Sequence, residues 1–230
     1  MNRGVTNIIR YLMDELVPSA VRDSKWFMYP FFWYAYRGKD LKTAMNFKTL
    51  VYKWSETEYS AFYNGLNTIS RNRKTDLNES SIKRILSNID KEAVSLLDVG
   101  CGKGYFLERA EVLNLELTGC DIVDKLQFSK ANLVQGFVEK LPFENNSFDV
   151  VTCSHTLEHI IEERVAVKEL LRVAKKQLVV VVPRQRYYYY TLDEHVNFYL
   201  FEERLSSLFK LEKFSCKRVN GDWVYIGKIS

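Results

Sequence analysis

Three glycines at alternate positions follow an acidic residue near the middle of the sequence. Gly100, Gly102 and Gly104 lie in the segment LLDVGCGKG, just after Asp98. Glycine adopts backbone angles that are closed to other residues and lets the main chain pass close to a ligand. The spacing G-x-G-x-G differs from the dinucleotide pattern G-x-G-x-x-G, so by itself it indicates either a ligand-binding turn or a tight structural turn.

A second acid stands at the end of the next apolar segment. Asp121 closes LELTGCD, 23 residues after Asp98. A carboxylate at the carboxyl end of a parallel strand can bind the paired hydroxyls of a ribose. The alternative is an ordinary solvated aspartate at the end of a strand.

The three histidines are the candidates for proton transfer. His155 and His159 come just after the apolar segment FDVVTCS, and His195 follows a later apolar run, QLVVVVP. A histidine at the carboxyl edge of a sheet can act as a general base, whereas the alternative for each is a capping or loop-bracing role. Residues 155–159 also spell H-x-x-E-H, but zinc chemistry requires both histidines on one face of a continuous helix. Because the motif begins directly after a strand, we predict no metal site.

Further motifs downstream complete a recognisable pattern. Leu-Pro-Phe occupies 141–143, Phe-Asp occupies 148–149 and Leu-Glu-His occupies 157–159. With the glycine turn and Asp121, these segments resemble the class I S-adenosylmethionine-dependent methyltransferases over about residues 80 to 230. The resemblance implies S-adenosylmethionine as the cofactor and says little about the methyl acceptor.

The resemblance also implies a role for individual residues. Asp98 would lie near the amino group of the methionine part, the glycine turn would give backbone contacts, and Asp121 would take the ribose hydroxyls. Family members commonly hold the adenine amino group with an acid four positions before Leu-Pro-Phe, which here is Phe137. Either Phe137 packs on the adenine and Glu139 replaces that acceptor, or main chain or water holds the amino group. The implied cofactor contacts are Asp98, Gly100, Cys101, Gly102, Asp121, Ile122, Phe137, Val138, Glu139 and Ser154.

Short apolar segments alternate with helical patterns from residue 94 onward. Strands are predicted at 94–100, 115–121, 132–138, 148–154 and 177–183, and helices near 81–89, 105–114, 163–174 and 201–209. This alternation predicts a Rossmann-like, doubly wound, mostly parallel α/β sheet covered on both faces. The last two strands, 210–219 and 222–229, are joined by Asn-Gly at 220–221, which predicts an antiparallel C-terminal hairpin.

The N-terminal part has a different pattern. We predict a helical, aromatic-rich extension or lid over residues 1–78 and the methyltransferase domain over 79–230. Residues 41–70 favour a broken helix, and Trp26 to Tyr36 carries eight aromatic residues in eleven positions. Pro30 is expected to interrupt any single helix there. Core packing, a lid over an apolar acceptor and an interfacial anchor all remain open for this run.

Composition and charge narrow the functional class. The 230 residues have a net charge of +4, with 15 basic and 10 acidic residues in 1–92 against 18 and 19 in 93–230. This N-terminal excess suits acidic substrates or anionic headgroups but is too diffuse for a dedicated nucleic-acid surface. The four widely spaced cysteines argue against zinc-ribbon and disulfide scaffolds and favour the reducing cytoplasm. The first 25 residues do not resemble a signal peptide.

We therefore expect methyl transfer to a small-molecule, glycan or lipid-intermediate acceptor, at oxygen, with His159, His195 or His155 as the base. Peripheral membrane contact and the oligomeric state stay open. The alternatives are a nucleic-acid methyltransferase that uses the basic extension, and a non-catalytic protein that binds S-adenosylmethionine. Amino-nitrogen methylation of bases is disfavoured because Cys-Ser-His-Thr stands where those enzymes carry an N/D-P-P-Y/F segment.

Overall fold

The computed structural model describes residues 12–13, 16–65, 74–123 and 127–229. The chain divides into two compact units. One consists of Met1–Arg73 together with Gln185–Phe198, and the other of Lys74–Arg184 together with Tyr199–Ser230. Within the described residues, no helix has the length and apolar character needed to span a bilayer.

Short helices make up most of the described residues 16–65 of the first unit, which we call the helical unit. Its helices are α1 (Ser19–Arg22), α2 (Lys25–Ala35), α3 (Leu41–Met45), α4 (Phe47–Leu50) and α5 (Glu56–Gly65). Met28, Phe32 and Tyr36 on α2 and just after it pack against Ala44 and Met45 to form a small core. The broken helix predicted over 41–70 corresponds to α3, α4, a short 3-10 turn and α5, and residues 66–70 lie outside the described residues.

The expected interruption at Pro30 is wrong, because α2 runs through it. Proline removes one backbone donor from a helix and crowds the preceding turn. Pro30 lies on the exposed side of α2, where water can solvate the carbonyl that loses its partner. The opposite side holds Met28 and Phe32, whose burial stabilises the helix across the proline.

The second unit is built on one mixed sheet. Its strands are β1 (Ser95–Val99), β2 (Glu116–Asp121), β3 (Asn132–Gln135), β4 (Phe148–Ser154), β5 (Ala174–Pro183), β6 (Phe214–Val219) and β7 (Asp222–Lys228). The described strands are ordered β3-β2-β1-β4-β5-β7-β6. β1 to β5 pair in parallel, and β7 pairs antiparallel with both β5 and β6. This arrangement confirms the predicted mostly parallel Rossmann-like sheet with an antiparallel C-terminal hairpin.

Helices cover both faces of this sheet. They are α6 (Glu79–Asn88), α7 (Tyr105–Ala110), α8 (Glu163–Val173) and α9 (Glu202–Phe209). Successive strand residues point to opposite faces, so Leu96 packs with α6 and α7 whereas Leu97 packs with α8 and α9. Burial on both sides explains why the central strands appear as continuous apolar runs in the sequence.

Several predicted boundaries differ from the observed ones. β3 ends at Gln135, and the chain then passes close to Pro142 at Gly136, where an added Cβ would lie 2.9 Å from Pro142 Cδ. β5 begins at Ala174, three residues before its predicted start. The helix predicted over 105–114 ends at Ala110 and continues as a 3-10 turn over Glu111–Leu113.

Candidate cofactor and active site

The glycine turn after β1 has the conformation that its sequence suggests. Gly100, Gly102 and Gly104 have φ values of +73°, +53° and +82°, in the left-handed region that favours glycine. A Cβ on Gly100 would lie 2.0 Å from Thr156 Oγ1, so packing inside the protein requires this glycine. A Cβ on Gly102 would meet no atom within 4 Å. The backbone at Gly102 therefore faces open space that a ligand can fill.

Asp98 lies on β1 just before this turn and is buried. Burial raises the pKa of its carboxyl to about 7, although the hydrogen bond that Thr152 Oγ1 donates over 2.7 Å acts in the opposite direction. A carboxyl with this pKa is partly protonated at neutral pH. A cationic group bound beside it would favour the ionised form.

Asp121 ends β2, the strand next to β1, and its carboxylate holds the glycine turn. Asp121 Oδ2 accepts a hydrogen bond of 2.8 Å from the Gly102 amide, and Oδ1 accepts one of 3.0 Å from the Val123 amide. β1 and β2 are parallel, with Val99 opposite Cys120, so both acids lie toward the same edge of the sheet. The backbone carbonyl of Ile122 is fixed by Gln135 Nε2 at 2.8 Å.

The residues predicted to flank the adenine lie beyond β3. Phe137 and Glu139 are half-buried, whereas Val138 is buried in the core on the α8 side. An added Cβ on Gly136 would lie 3.2 Å from Cys120 Sγ, so this segment passes close to the end of β2. Whether Phe137 or Glu139 contacts the adenine stays a prediction.

Two more predicted contacts lie along the same edge. Cys101 is buried in the turn and close to Gly119, where a Cβ would be 2.7 Å from its sulfur. Burial raises the pKa of the Cys101 thiol, so the thiol remains neutral. Ser154 ends β4, and in the described structure its buried Oγ has no hydrogen-bond partner.

His155 belongs to a buried ionic cluster. Its Nδ1 lies 3.2 Å from Glu158 Oε1 and its Nε2 lies 3.5 Å from Asp222 Oδ2, and both carboxylates are fully buried. Burial disfavours the imidazolium, but the attraction of Asp222 and Glu158 outweighs it and raises the pKa of His155 to about 10. A protonated ring cannot accept another proton, so His155 does not suit the general-base role predicted for it.

The other two histidines belong to different units. His159 closes the 3-10 turn Leu157–His159 of the sheet unit and is half-buried. His195 belongs to the helical unit, where it is buried with Nδ1 2.7 Å from Gln185 Oε1. That His195 also lies at the carboxyl edge of the sheet stays a prediction.

A doubly wound sheet with an open glycine turn after its first strand and an acid at the end of its second defines the class I S-adenosylmethionine-dependent methyltransferase fold. Residues 97–182 match the family described as a methyltransferase domain. Residues 97–182 thus match a methyltransferase domain on a sheet of this fold, and the matched family implies S-adenosylmethionine as the cofactor.

Individual relatives agree with this class. The chain is 33% identical over 112 residues to a demethylmenaquinone methyltransferase of Staphylococcus aureus (strain MRSA252), a match that covers 43% of this chain and 46% of that protein. The chain thus spans about half the length of the curated relatives that it matches.

Two solved structures share the fold. An S-adenosylmethionine-dependent methyltransferase from Thermotoga maritima has a TM-score of 0.54 at 17% identity, covering 79% of this chain and 97% of that one. A protein from Pyrococcus horikoshii OT3 has a TM-score of 0.53 at 18% identity, covering 90% of this chain and 100% of that one. At these identities the likeness concerns the fold alone.

Proposed function

We propose that this chain transfers the methyl group of S-adenosylmethionine to an oxygen atom of a small-molecule acceptor, with glycan and lipid intermediates included in that class. The observation that carries the proposal is the open space above Gly102. Asp98 and Asp121 lie toward the carboxyl ends of neighbouring parallel strands, and Asp121 accepts a hydrogen bond from the Gly102 amide. We call the Gly102 backbone with these two acids the cradle, and acids at such strand ends suit a ligand that has both an amino group and a ribose.

Each residue of the cofactor site would contact one part of the ligand. Asp98 would bind the amino group, Asp121 would bind the ribose hydroxyls, and the backbone of residues 100–102 would lie against the ligand. Ile122 and Phe137 would enclose the adenine, with Val138 and Glu139 beside it, and Ser154 would provide a hydroxyl at the end of β4. When bound, S-adenosylmethionine supplies a methyl group activated by a positively charged sulfur.

The protein's part in methyl transfer is mainly positioning. An in-line displacement at a methyl carbon needs the acceptor atom held in line with it, and a base is needed where that atom carries a proton. We assign the base to His159 or His195, because His155 is held in its protonated form by Asp222 and Glu158. The name of the Staphylococcus aureus relative supports a small organic acceptor over a macromolecule.

The test is transfer of a radioactive methyl group from labelled S-adenosylmethionine to a panel of phenols, quinols, glycans, lipid extracts and RNA. We expect label in a small organic acceptor and loss of that label in Gly102→Asn, which fills the cradle. His159→Asn or His195→Asn should lower turnover by roughly a hundredfold if that residue is the base. Label in RNA alone would favour the nucleic-acid alternative. Cofactor binding without label in any acceptor would favour a non-catalytic protein.

A further inference from the structure

Helix α2 of the helical unit exposes large aromatic side chains on one side. Trp26 is 73% exposed, Tyr34 67%, Trp33 56% and Tyr29 47%. At about 100° of rotation per residue, these four and Pro30 cover an arc of about 140° around the helix. We call these five residues the aromatic face. A single exposed aromatic side chain is common, but a contiguous group of this size marks an interaction site.

The other side of α2 fixes the aromatic face toward solvent. Met28, Phe32 and Tyr36 are buried in the core of the helical unit. The rings of Phe32 and Tyr36 stack with their centres 5.7 Å apart, and the Tyr36 hydroxyl donates a hydrogen bond to the Glu194 carboxylate. Rotating α2 to bury the tryptophans would break these contacts. Exposure of the aromatic face is therefore a property of the folded unit.

Exposed cations flank the aromatic face along the chain. The exposed charged residues of segment 19–50 are Lys25, Arg37, Lys39, Lys42 and Asp40, which leaves an excess of three positive charges. Lys25 begins α2, and Arg37 and Lys39 follow its end. The face is thus apolar in its centre and basic at both ends.

This combination fits a bilayer surface with anionic lipids. Tryptophan and tyrosine rings prefer the headgroup level of a membrane, and lysine and arginine extend from there to the lipid phosphates. The eleven residues of α2 are about 16 Å long, which is too short to cross a bilayer but sufficient to lie along its surface. Cations at both ends would not favour a second copy of the same face, because like charges would meet.

We propose that α2 docks the protein on an anionic lipid bilayer through the aromatic face, with the cations at both ends contacting lipid phosphates. The proposal concerns the helical unit alone and does not depend on the methyl acceptor. It gives a binding role to the exposed aromatic residues of α2, which contribute little to the core of the helical unit.

The full-length chain can be tested with phosphatidylcholine vesicles prepared with and without phosphatidylglycerol. We expect cosedimentation with the anionic vesicles and a blue shift of tryptophan emission. Binding should weaken roughly tenfold or more when the ionic strength rises from about 0.1 to about 1 M, because the Debye length falls from about 10 Å to about 3 Å. Inorganic phosphate, added at the same ionic strength as chloride, distinguishes binding to a lipid surface from binding to free phosphate. We expect phosphate to displace the protein from vesicles no better than chloride does.

Two pairs of variants isolate the contributions of the rings and of the charges. Trp26→Ser with Trp33→Ser should weaken binding roughly tenfold or more, whereas Val112→Ser with Phe201→Ser, exposed positions of the sheet unit, should leave it unchanged. Lys25→Gln with Lys39→Gln should reduce the salt dependence, whereas Lys213→Gln with Lys217→Gln should not. Circular dichroism confirms that each variant is folded.

The proposal is overturned if the folded protein fails to bind anionic vesicles at low ionic strength, or if the tryptophan pair binds as well as the wild type. Self-association that disappears in the tryptophan pair, without any vesicle binding, would assign the aromatic face to a second copy instead. Because these readouts involve no S-adenosylmethionine, their failure would leave the proposed methyl transfer untouched.

Discussion

Replacing His155 by asparagine should destabilise the sheet unit in a way that depends on pH. His155 has a φ of +52°, and asparagine tolerates this left-handed conformation, so the variant removes the charge with little added backbone strain. The change leaves the buried carboxylates of Glu158 and Asp222 without the imidazolium between them. The Asn78 side-chain amide still donates a hydrogen bond of 2.8 Å to Asp222 Oδ2.

The size of the effect follows from the pKa of His155. That pKa rises from 6.5 to about 10 on folding, so the stabilisation is complete below pH 6.5 and disappears as the pH rises through about 10. At 1.36 kcal/mol per pKa unit, the wild type should exceed the variant by up to about 4 kcal/mol at pH 7 and by about 1.5 kcal/mol at pH 9.

Urea unfolding of both proteins at pH 6, 7, 8 and 9 measures this difference directly. The difference between the two proteins cancels the titrating groups outside the cluster of His155, Glu158 and Asp222, and Val112→Ser serves as a control that should track the wild type. If the variant does not fold at pH 7, an NMR titration of His155 in the wild type replaces it. A difference that is independent of pH, or a ring that titrates near pH 6.5, would refute the buried imidazolium.

Three further predictions concern the cofactor cradle. Gly100→Ala should lower the free energy of unfolding by more than about 2 kcal/mol in a urea titration, because the methyl group would overlap Thr156 Oγ1 and the backbone is left-handed. S-adenosylmethionine affinity, measured by calorimetry, should fall roughly fivefold from pH 7 to pH 6 as Asp98 takes up a proton. Thr152→Val should move this transition to higher pH, because the hydrogen bond from Thr152 lowers the pKa of Asp98. An affinity that is the same at both pH values would count against Asp98 as a contact. Asp121→Ala should weaken binding at least tenfold in the same assay, and equal affinity would remove Asp121 from the site.

Most of the sheet could be predicted because local patterns dominate there. β4 and β5 are buried on both faces over most of their length, so the apolar runs 150–151 and 178–182 stand out in the sequence. The Asn220-Gly221 turn specifies the last hairpin in the same local way. The glycine turn and Asp121 were likewise recognisable, since strand, turn and acid follow one another along the chain.

The features that could not be predicted depend on contacts between distant residues. Pro30 fits inside α2 only because buried neighbours hold the helix on its other side. The role of His155 depends on Asp222, 67 positions away, which nothing in the local sequence indicates. The grouping of Gln185–Phe198 with the helical unit has the same origin, because contacts such as the hydrogen bond from the Tyr189 amide to Asp23 form only in the folded chain.

Calorimetric titration of the full chain with S-adenosylmethionine tests the central claim most directly. We predict one binding site per chain in the wild type. Gly102→Asn should lose at least tenfold in affinity, because its side chain would occupy the space that the ligand needs, while its unfolding midpoint changes little. Asn114 and Asn220 already adopt φ values of +54° and +45° in this protein, so asparagine is compatible with such a turn. A folded wild type that releases no heat, or a variant that binds equally well, would contradict the assignment of the cofactor site.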